Sequence, residues 1–282
     1  MILDRMQEVM GPLPKLAKTP PVIRVQSEIV DGGLLRRHIT YDDVPAWLLL
    51  PQGRTKKRGA VLCLHQTNKI GKDEPVGLGG KANLHYAREL ALRGYVTLAP
   101  DYPNFGEYRV DAYSNGYASA TMLGIVNHMK AVSLLSHLPF VDAKRIAVCG
   151  HSLGGHNSLF VAAFDKRIGE VIVSCGFTSF AKYYGGNLTG WSHRGYMPRI
   201  AGRKPEEMPF DFKDVLAQIG PRRIFVNAPL RDANFDASGV DDAIRDSKHL
   251  RITVEHPDCE HDFPPEVRLR AWAWLDAPAV VF

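Results

Sequence analysis

The segment with the clearest chemical potential lies near the middle of the chain. An apolar run at 145–149 is followed by a Gly-His-Ser-Leu-Gly sequence centred on Ser152, and then by a helical pattern. This is the G-x-S-x-G pattern, in which a sharp strand-to-helix turn exposes a serine hydroxyl at the end of a strand. Glycine is needed on both sides because the serine backbone is strained and a flanking side chain would clash. The pattern predicts that Ser152 is a nucleophile.

A nucleophilic serine needs a general base, because its hydroxyl is barely ionised at neutral pH. Two histidines close to the C-terminus are candidates. His256 ends the last apolar run, where Pro257 restricts it to an extended conformation. His261 lies in the following loop, from which its ring can reach Ser152 at the end of the sheet. We therefore assign His261 as the base and His256 as a strand-end residue.

The third member of such a constellation is a carboxylate that fixes the tautomer of the base and stabilises its imidazolium form. Asp232 and Asp236 both follow an apolar run at 222–227. Asp232 comes first after this run, so we favour it as the acid. Asp236 remains the alternative, and either residue can also be an ordinary turn residue.

Two further patterns suggest bound groups but lack the required context. His256, Cys259 and His261 offer metal-ligand atoms, but no fourth ligand follows at a recognised spacing. Residues 77–82 fit the dinucleotide pattern G-x-G-x-x-A, but the polar, Pro75-containing residues before them do not form a strand. We therefore expect neither a metal nor a cofactor.

The elements that must position these residues follow from short apolar runs rich in β-branched residues. Several of them are apolar without alternation, which is typical of strands covered on both faces. Helical patterns at 82–93 and 117–138 lie between them, and Gly32-Gly33 separates two extended runs within an antiparallel stretch at 22–50. The order predicts an α/β fold with a mostly parallel twisted sheet and helices on both faces. The predicted strands are 44–50, 60–65, 95–100, 145–150, 170–175, 222–227 and 251–256.

Over roughly residues 40–275 the chain resembles the α/β-hydrolase fold, in its branch of dienelactone hydrolases, acetyl xylan esterases and prolyl-oligopeptidase-like enzymes. The resemblance rests on the sequences AVLCLHQT, LAPDYPNFGEY, GHSLGGH, APLRDANFD and CEHDFP. It implies the chain order nucleophile, acid, base, and it places Asp232 in the acid loop and His261 in the base loop. Dienelactone hydrolases carry cysteine at the turn, so Ser152 favours the esterase side of this branch.

The resemblance also implies where the oxyanion of the tetrahedral intermediate binds. One donor is the backbone N–H of Leu153, the residue after the nucleophile, and the second comes from the loop after the 60–65 strand. This loop reads His65-Gln66-Thr67 where the family more often has His-Gly-X. By position, the N–H of Thr67 is the expected second donor.

Residues 176–212 form a long connection rich in glycine, aromatic residues and proline, which is typical of a lid or a pocket wall. We expect substrate contacts from Gln66, His151 and Trp191. The aromatic residues of the connection can line a pocket or pack as a local core. These residues are Tyr183, Tyr184, Trp191 and His193.

Composition restricts the remaining function classes. The chain has 282 residues, of which 45% are hydrophobic and 23% charged, so we expect one domain over 1–282 with an N-terminal extension and first strands at 1–40. Lysine and arginine are scattered despite a net charge of +5, which indicates a solvated surface and no nucleic-acid partner. No apolar run is long enough to span a membrane, so we expect no membrane partner, and the oligomeric state is not readable.

The cellular location follows from two weaker signals. Asp4 and Arg5 lie where a signal peptide needs apolar residues. Cys63, Cys149 and Cys175 lie in apolar runs, which indicates buried thiols in a reducing compartment. We expect a cytoplasmic protein, with secretion as the alternative if a leader has been removed.

Together these patterns predict a cofactor-independent serine hydrolase that cleaves a small-molecule carboxylic ester through a Ser-His-Asp triad and an acyl-enzyme. A lactone hydrolase would use the same residues, and a prolyl-oligopeptidase-like peptidase would use the same triad. A non-catalytic binding protein is the alternative from a different class, but it predicts that one triad position is lost. The long loops at 66–81 and 176–212 indicate a substrate larger than a simple acetate ester, such as a sugar ester or a macrocyclic lactone.

Overall fold

A computed structural model of the protein describes residues 1–53, 57–245 and 250–277. The strands of this part of the chain are β1 (Ile23–Asp31), β2 (Leu34–Tyr41), β3 (Val44–Pro51), β4 (Arg58–Leu64), β5 (Val96–Pro100), β6 (Val141–His151), β7 (Ile168–Ser174), β8 (Arg223–Asn227) and β9 (Arg251–Glu255). The α-helices are α1 (Ile2–Met10), α2 (Tyr86–Leu92), α3 (Ala120–His137), α4 (Leu153–Phe164), α5 (Thr189–Ser192), α6 (Phe212–Ile219), α7 (Ala237–Arg245) and α8 (Pro265–Asp276). Short 3₁₀ helices occupy Gly71–Asp73, Ala82–Leu84, Tyr183–Gly186, Pro198–Ile200 and Pro205–Glu207.

The strands form one sheet in the order β1-β2-β3-β5-β4-β6-β7-β8-β9. β1, β2, β3 and β5 pair antiparallel with their neighbours in this order. From β5 onward, the neighbours β5, β4, β6, β7, β8 and β9 pair parallel. Each predicted apolar run coincides with a strand to within a few residues. The predicted mostly parallel sheet is therefore confirmed, and the C-terminal ends of its parallel strands meet at one edge.

Helices cover both faces of this sheet, as predicted. Leu62 and Val148 belong to a core with α1, α3, α4, α6 and α7, whereas Cys63 and Cys149 face a second core with α2 and α8. Side chains alternate between these cores along each strand because successive residues point to opposite faces. Both faces are apolar, which explains the lack of polar alternation in the central strands.

The N-terminal half of the sheet follows the predicted hairpin. β1 and β2 pair around the turn at Gly32 and Gly33, whose φ angles of 56° and 81° suit glycine. The predicted helix at 117–138 corresponds to α3. The predicted helix at 82–93 is instead a 3₁₀ turn followed by α2, whose first N–H groups bond to the carbonyl oxygen of Pro75.

The long connection at 176–212 contains only short helical turns, and much of it packs against the sheet. Its residues Trp191, Met197, Ile200 and Phe210 are buried in the same core as α4. Cys63, Cys149 and Cys175 are buried free thiols, as their apolar surroundings predict. In the described part of the chain, no helix has both the length and the apolar character required to cross a bilayer.

Candidate active site

Ser152 lies on the tight turn between β6 and α4, at the C-terminal edge of the sheet. Its backbone has φ 54° and ψ −116°, which is unusual for a residue other than glycine. Its N–H donates to the carbonyl oxygen of Ser174 at 2.8 Å, so β7 holds the turn in this conformation. The strained backbone places the side chain at the start of α4, where the helix dipole favours negative charge.

The glycines around Ser152 are required by close packing. A Cβ on Gly154 would lie 1.8 Å from the carbonyl oxygen of Leu64, and a Cβ on Gly155 would lie 2.7 Å from the Cα of Gly176. The turn is therefore pressed between β4 and the residues after β7. This packing explains the Gly-His-Ser-Leu-Gly-Gly sequence as a local geometric requirement.

His261 and Asp232 lie together at the same edge of the sheet. The Nδ1 atom of His261 is 2.8 Å from an Oδ atom of Asp232, whose side chain is completely buried. The other Oδ atom of Asp232 accepts hydrogen bonds from the N–H groups of Asn234 and Phe235 at 2.8 and 3.1 Å. The carboxylate is thus fixed from two sides and orients the imidazole.

The two alternative residues lie elsewhere. His256 bonds through Nδ1 to the carbonyl oxygen of Ala228 at 2.8 Å and pairs through Nε2 with Asp241 at 3.1 Å. Asp236 immediately precedes α7, and its carboxylate accepts the N–H of Ser238 at 2.8 Å. Both residues therefore have structural partners that explain them.

Ser152 and His261 line one cavity of about 300 Å³. The Oγ atom of Ser152 and the Nε2 atom of His261 make no hydrogen bond with any described residue, and therefore none with each other. The bond between a nucleophile and its base often tightens only when substrate binds. The arrangement leaves Nε2 available to accept the serine proton.

The loop after β4 supplies a second N–H group at the cavity. The Nε2 atom of His65 accepts the N–H of Tyr102 at 2.9 Å, so the proton of its neutral ring is on Nδ1, which lies 2.6 Å from the carbonyl oxygen of Gln66. The carbonyl of Gln66 and the N–H of Thr67 belong to the same trans peptide and point in opposite directions. The N–H of Thr67 is therefore directed away from the ring of His65. Neither this N–H nor that of Leu153 bonds to a described residue, and both residues line the cavity. Both groups can therefore receive a developing oxyanion.

Aromatic residues of the 176–212 connection form the opposite side of the cavity. We call Tyr183, Trp191 and Tyr196 the aromatic wall. Trp191 also packs on Phe212 with ring centres 5.7 Å apart, so it belongs to both the pocket and the core. Tyr184 and His193 do not line the cavity.

Comparisons with known proteins agree with the observed fold. The model of the alpha/beta hydrolase family matches residues 77–280, more than half of the chain. The chain belongs to the alpha/beta hydrolase family. None of the curated proteins matches this hydrolase.

Solved structures share the fold of this hydrolase at low sequence identity. A glucuronoyl esterase from Solibacter usitatus is 16% identical with a TM-score of 0.76, and the match covers 97% of this chain and 90% of that one. An acetyl xylan esterase from Paenibacillus sp. R4 is 19% identical with a TM-score of 0.70, covering 99% and 100%. Acetyl xylan esterase 1 from Thermoanaerobacterium sp. is 16% identical with a TM-score of 0.66, covering 97% and 91%.

His151 does not contact the cavity, in contrast to the prediction that it binds substrate. It is 1% exposed, its Nδ1 atom is 2.9 Å from the hydroxyl of Ser174, and its ring centre is 4.7 Å from that of His261. Side chains alternate along β6, so His151 shares a face with Cys149 and lies opposite α4. Burial lowers the pKa of His151 well below its usual value, and the hydrolase therefore keeps a neutral ring behind His261.

Several residues that the sequence analysis did not single out hold the loop carrying His261. The Nδ2 atom of Asn227 donates to the carbonyl oxygen of Asp262 at 2.9 Å and to the hydroxyl of Ser174 at 2.8 Å. The side chain of Asn83 donates to the carboxylate of Asp262 at 2.6 Å. Their position at the ends of strands and helices next to the site was the signal available in the sequence.

Buried charges brace the loop that carries Thr67. Glu74 accepts hydrogen bonds from the side chains of Gln66 at 2.9 Å and Asn68 at 2.5 Å. Lys72 is completely buried, and its Nζ atom lies 3.2 Å from the carboxylate of Asp101. Gln66, for which the sequence predicts a substrate contact, lines the cavity, but one of its amide protons is already used by Glu74.

One cluster in the described residues has the composition of a metal site. Ligand atoms of His151, Cys175 and His261 all lie within 4.8 Å of one another. It is not the set of His256, Cys259 and His261 that the sequence suggested and that lacked a fourth ligand, because His256 and Cys259 are absent from it. Two members already have partners, since His151 contacts Ser174 and the thiol of Cys175 is 3.3 Å from the carbonyl oxygen of Asp262. The three residues lie together because His151 packs on the ring of His261 and Cys175 contacts Asp262, the next residue in the chain.

Proposed function

We propose that this hydrolase cleaves carboxylic esters through a covalent acyl-enzyme on Ser152. The observation that carries the proposal is the 2.8 Å contact between His261 and Asp232, which leaves the Nε2 atom of His261 free beside the cavity that Ser152 lines. This arrangement supports the proposed roles of Ser152 as nucleophile, His261 as base and Asp232 as the carboxylate that orients the base in acyl transfer.

In the proposed reaction, the hydroxyl of Ser152 attacks the ester carbonyl carbon while Nε2 of His261 takes its proton. The N–H groups of Leu153 and Thr67 stabilise the oxyanion, and Asp232 stabilises the imidazolium. His261 then donates the proton to the leaving alcohol, and the C–O bond to the alcohol breaks. Water attacks the acyl-enzyme with the same base, which releases the acid and restores Ser152.

We further propose that the natural substrate is an ester of a sugar. The structural relatives are named for glucuronoyl and acetyl xylan esters, although their low identity to this hydrolase supports only the fold. The aromatic wall supports the proposal independently, because flat aromatic side chains offer apolar surface to a sugar ring while Tyr196 offers a hydroxyl. A lactone would use the same catalytic residues, so lactones belong in the test.

The test measures hydrolysis of p-nitrophenyl esters from C2 to C12, acetylated sugars, methyl glucuronate glycosides, lactones and aminoacyl amides. Ser152→Ala is expected to lower kcat by about 10⁴-fold or more, because removal of the nucleophile leaves only binding and oxyanion stabilisation. The matched control is Ser158→Ala in the same helix, whose hydroxyl donates to the carbonyl oxygen of Gly154 at 2.7 Å. Full activity of a folded Ser152→Ala protein would overturn the mechanism, and amide cleavage without ester cleavage would overturn the esterase assignment.

A further inference from the structure

His156 is a buried polar residue of the cavity that the proposed reaction does not use. It lies one turn after Ser152 in α4, about 6 Å along the helix axis, and its N–H donates to the carbonyl oxygen of Ser152 at 3.2 Å. Its side chain lines the cavity and the residue is only 5% exposed. Neither ring nitrogen makes a hydrogen bond of ordinary geometry with any described residue, although the backbone of Gly176 lies close enough to the ring to affect its pKa.

Trp191, which belongs to the aromatic wall, also has a buried polar group without a hydrogen-bond partner. It is 3% exposed, and its Nε1–H has no hydrogen-bond partner among the described residues. Its ring centre lies 4.6 Å from that of His156, so the two unsatisfied groups belong to neighbouring rings. Buried polar groups nearly always have partners. Among the described residues that have unpaired buried side-chain atoms, only His156 and Trp191 line this cavity, where a bound molecule can supply the partner.

The charge state of His156 restricts what this molecule can offer. Burial lowers the pKa of His156 to about 3, and the nearby carbonyl of Gly176 opposes this shift only in part. The ring is therefore neutral at pH 7 and has one donor and one acceptor nitrogen, whereas the Trp191 indole is a donor only. A hydroxyl group fits both, because it can accept from Trp191 and donate to His156.

The other residues of the cavity exclude a charged group at this position. None of the described residues that line it is lysine or arginine, so a buried carboxylate or phosphate would have no cation. An ammonium group would have no carboxylate, because none of the described residues that line the cavity is aspartate or glutamate. Unpaired buried charges are costly, and an uncharged polar group is favoured.

We propose that His156 and Trp191 form a subsite for an uncharged hydroxyl group of the ester substrate, next to the carbonyl that Ser152 attacks. This inference rests on the proposed function, and it assigns the two residues as specificity determinants of the same site. It adds the requirement that the group beside the ester bears a hydroxyl. The hydroxyl belongs either to the alcohol half or to the acyl half of the ester.

The first arm of the test uses the unmodified hydrolase and two pairs of esters. Cyclohexyl acetate is compared with its trans-2-hydroxy derivative, and methyl cyclohexanecarboxylate with its trans-2-hydroxy derivative. A site built to bond a hydroxyl rejects the analogue that lacks it, so we expect kcat/KM to favour the hydroxylated member of one pair by about 10-fold or more. The pair that responds identifies the half of the ester that carries the hydroxyl.

The second arm removes each partner of the hydroxyl separately. His156→Phe and Trp191→Phe keep an aromatic ring but lose the hydrogen-bonding nitrogens, and we expect each to reduce the preference to about threefold or less, mainly through KM. His156→Gln retains a donor and an acceptor and should restore part of the preference. The matched control is His128→Phe, because His128 is 2% exposed and does not line the cavity.

The outcomes separate this inference from the proposed function. Equal kcat/KM values within both pairs, or a preference that persists in His156→Phe and Trp191→Phe, would overturn the hydroxyl subsite while ester hydrolysis by Ser152 stands. An equal loss of preference in His128→Phe would show a general packing effect and would also overturn it. Absence of any ester hydrolysis by the unmodified protein would instead refute the proposed function.

Discussion

The carboxylate of Asp232 and the two polar rings of the cavity, His156 and Trp191, differ in how their hydrogen-bonding atoms are satisfied. On the catalytic edge, the carboxylate of Asp232 accepts from His261, Asn234 and Phe235. His156, one turn after Ser152 in α4, and the indole of Trp191 are just as buried, but their ring nitrogens have no hydrogen-bond partner among the described residues. The difference is not one of burial, because Asp232, His156 and Trp191 are all less than 10% exposed.

The contrast indicates that the paired and the unpaired groups have different roles. Groups that must have a fixed orientation before the substrate arrives are paired within the protein, since preorganised dipoles need no rearrangement during reaction. Groups that recognise the substrate are left unpaired, because the substrate completes their hydrogen bonds. The cost of leaving a buried polar group unpaired, about 1–3 kcal/mol for each, would then be recovered on binding.

The largest expected effect on kcat comes from replacing the hydrogen-bonded carboxylate of Asp232. Asp232→Asn keeps the shape of the side chain but favours the wrong tautomer of His261, so we expect kcat to fall by about 10³- to 10⁴-fold. Asp236→Asn is the matched control, because Asp236 lies four residues further on and contacts Ser238 instead. Steady-state kinetics on a p-nitrophenyl ester provide the measurement. A larger loss in Asp236→Asn would show that the acid has been assigned to the wrong residue.

A smaller effect is expected at the backbone donor of the loop after β4. Thr67→Pro removes the N–H that we assign to the oxyanion and should lower kcat by about 10²- to 10³-fold. Thr67→Ala retains the N–H and loses only the contact of the hydroxyl with Tyr196, which is 3.0 Å long. We expect this control to lose less than about fivefold in kcat, in line with a single neutral hydrogen bond. Similar losses in the two variants would exclude the backbone role.

The smallest expected effect is on the pH dependence of the free energy of unfolding, and it tests the burial of His156. Burial lowers the pKa of His156 and of His128 to about 3, below the ordinary value of 6.5. The unfolded chain therefore binds more protons below pH 6.5, so these residues leave stability intact above that pH and reduce it as the pH falls. Replacing either histidine with phenylalanine should make the loss between pH 6.5 and 5.5 smaller by about 1 kcal/mol. Urea unfolding at the two pH values measures this, and an unchanged loss for His156→Phe would show that its ring is solvated.

The parts of the site that depend on local sequence could be predicted. The turn at Ser152 was readable because its close packing against neighbouring strands, such as that of Gly154 against Leu64, requires glycines at fixed positions next to the serine in the sequence. Asp232 and His261 followed from chain order, since both come directly after parallel strands that end at one edge. The strands were found because their apolar runs lack alternation.

The parts that depend on side-chain direction and long-range packing were predicted less well. His151 was placed at the substrate, although the alternation along β6 puts it on the same face as Cys149, away from α4. His156 was missed, although a spacing of four residues in α4 puts it on the side of the helix that carries Ser152. Its ring packs on Trp191, which is 35 residues away in sequence, and no local pattern predicts that contact.

The most direct test of the account is covalent modification with a fluorophosphonate reagent, followed by peptide mapping by mass spectrometry. The Oγ atom of Ser152 should displace fluoride and form a phosphonate ester, with about one adduct per chain and parallel loss of esterase activity. The rate of modification should fall strongly in His261→Gln, because His261 accepts the serine proton. An active esterase that resists the reagent, or an adduct that inactivates the protein from a residue other than Ser152, would contradict the account.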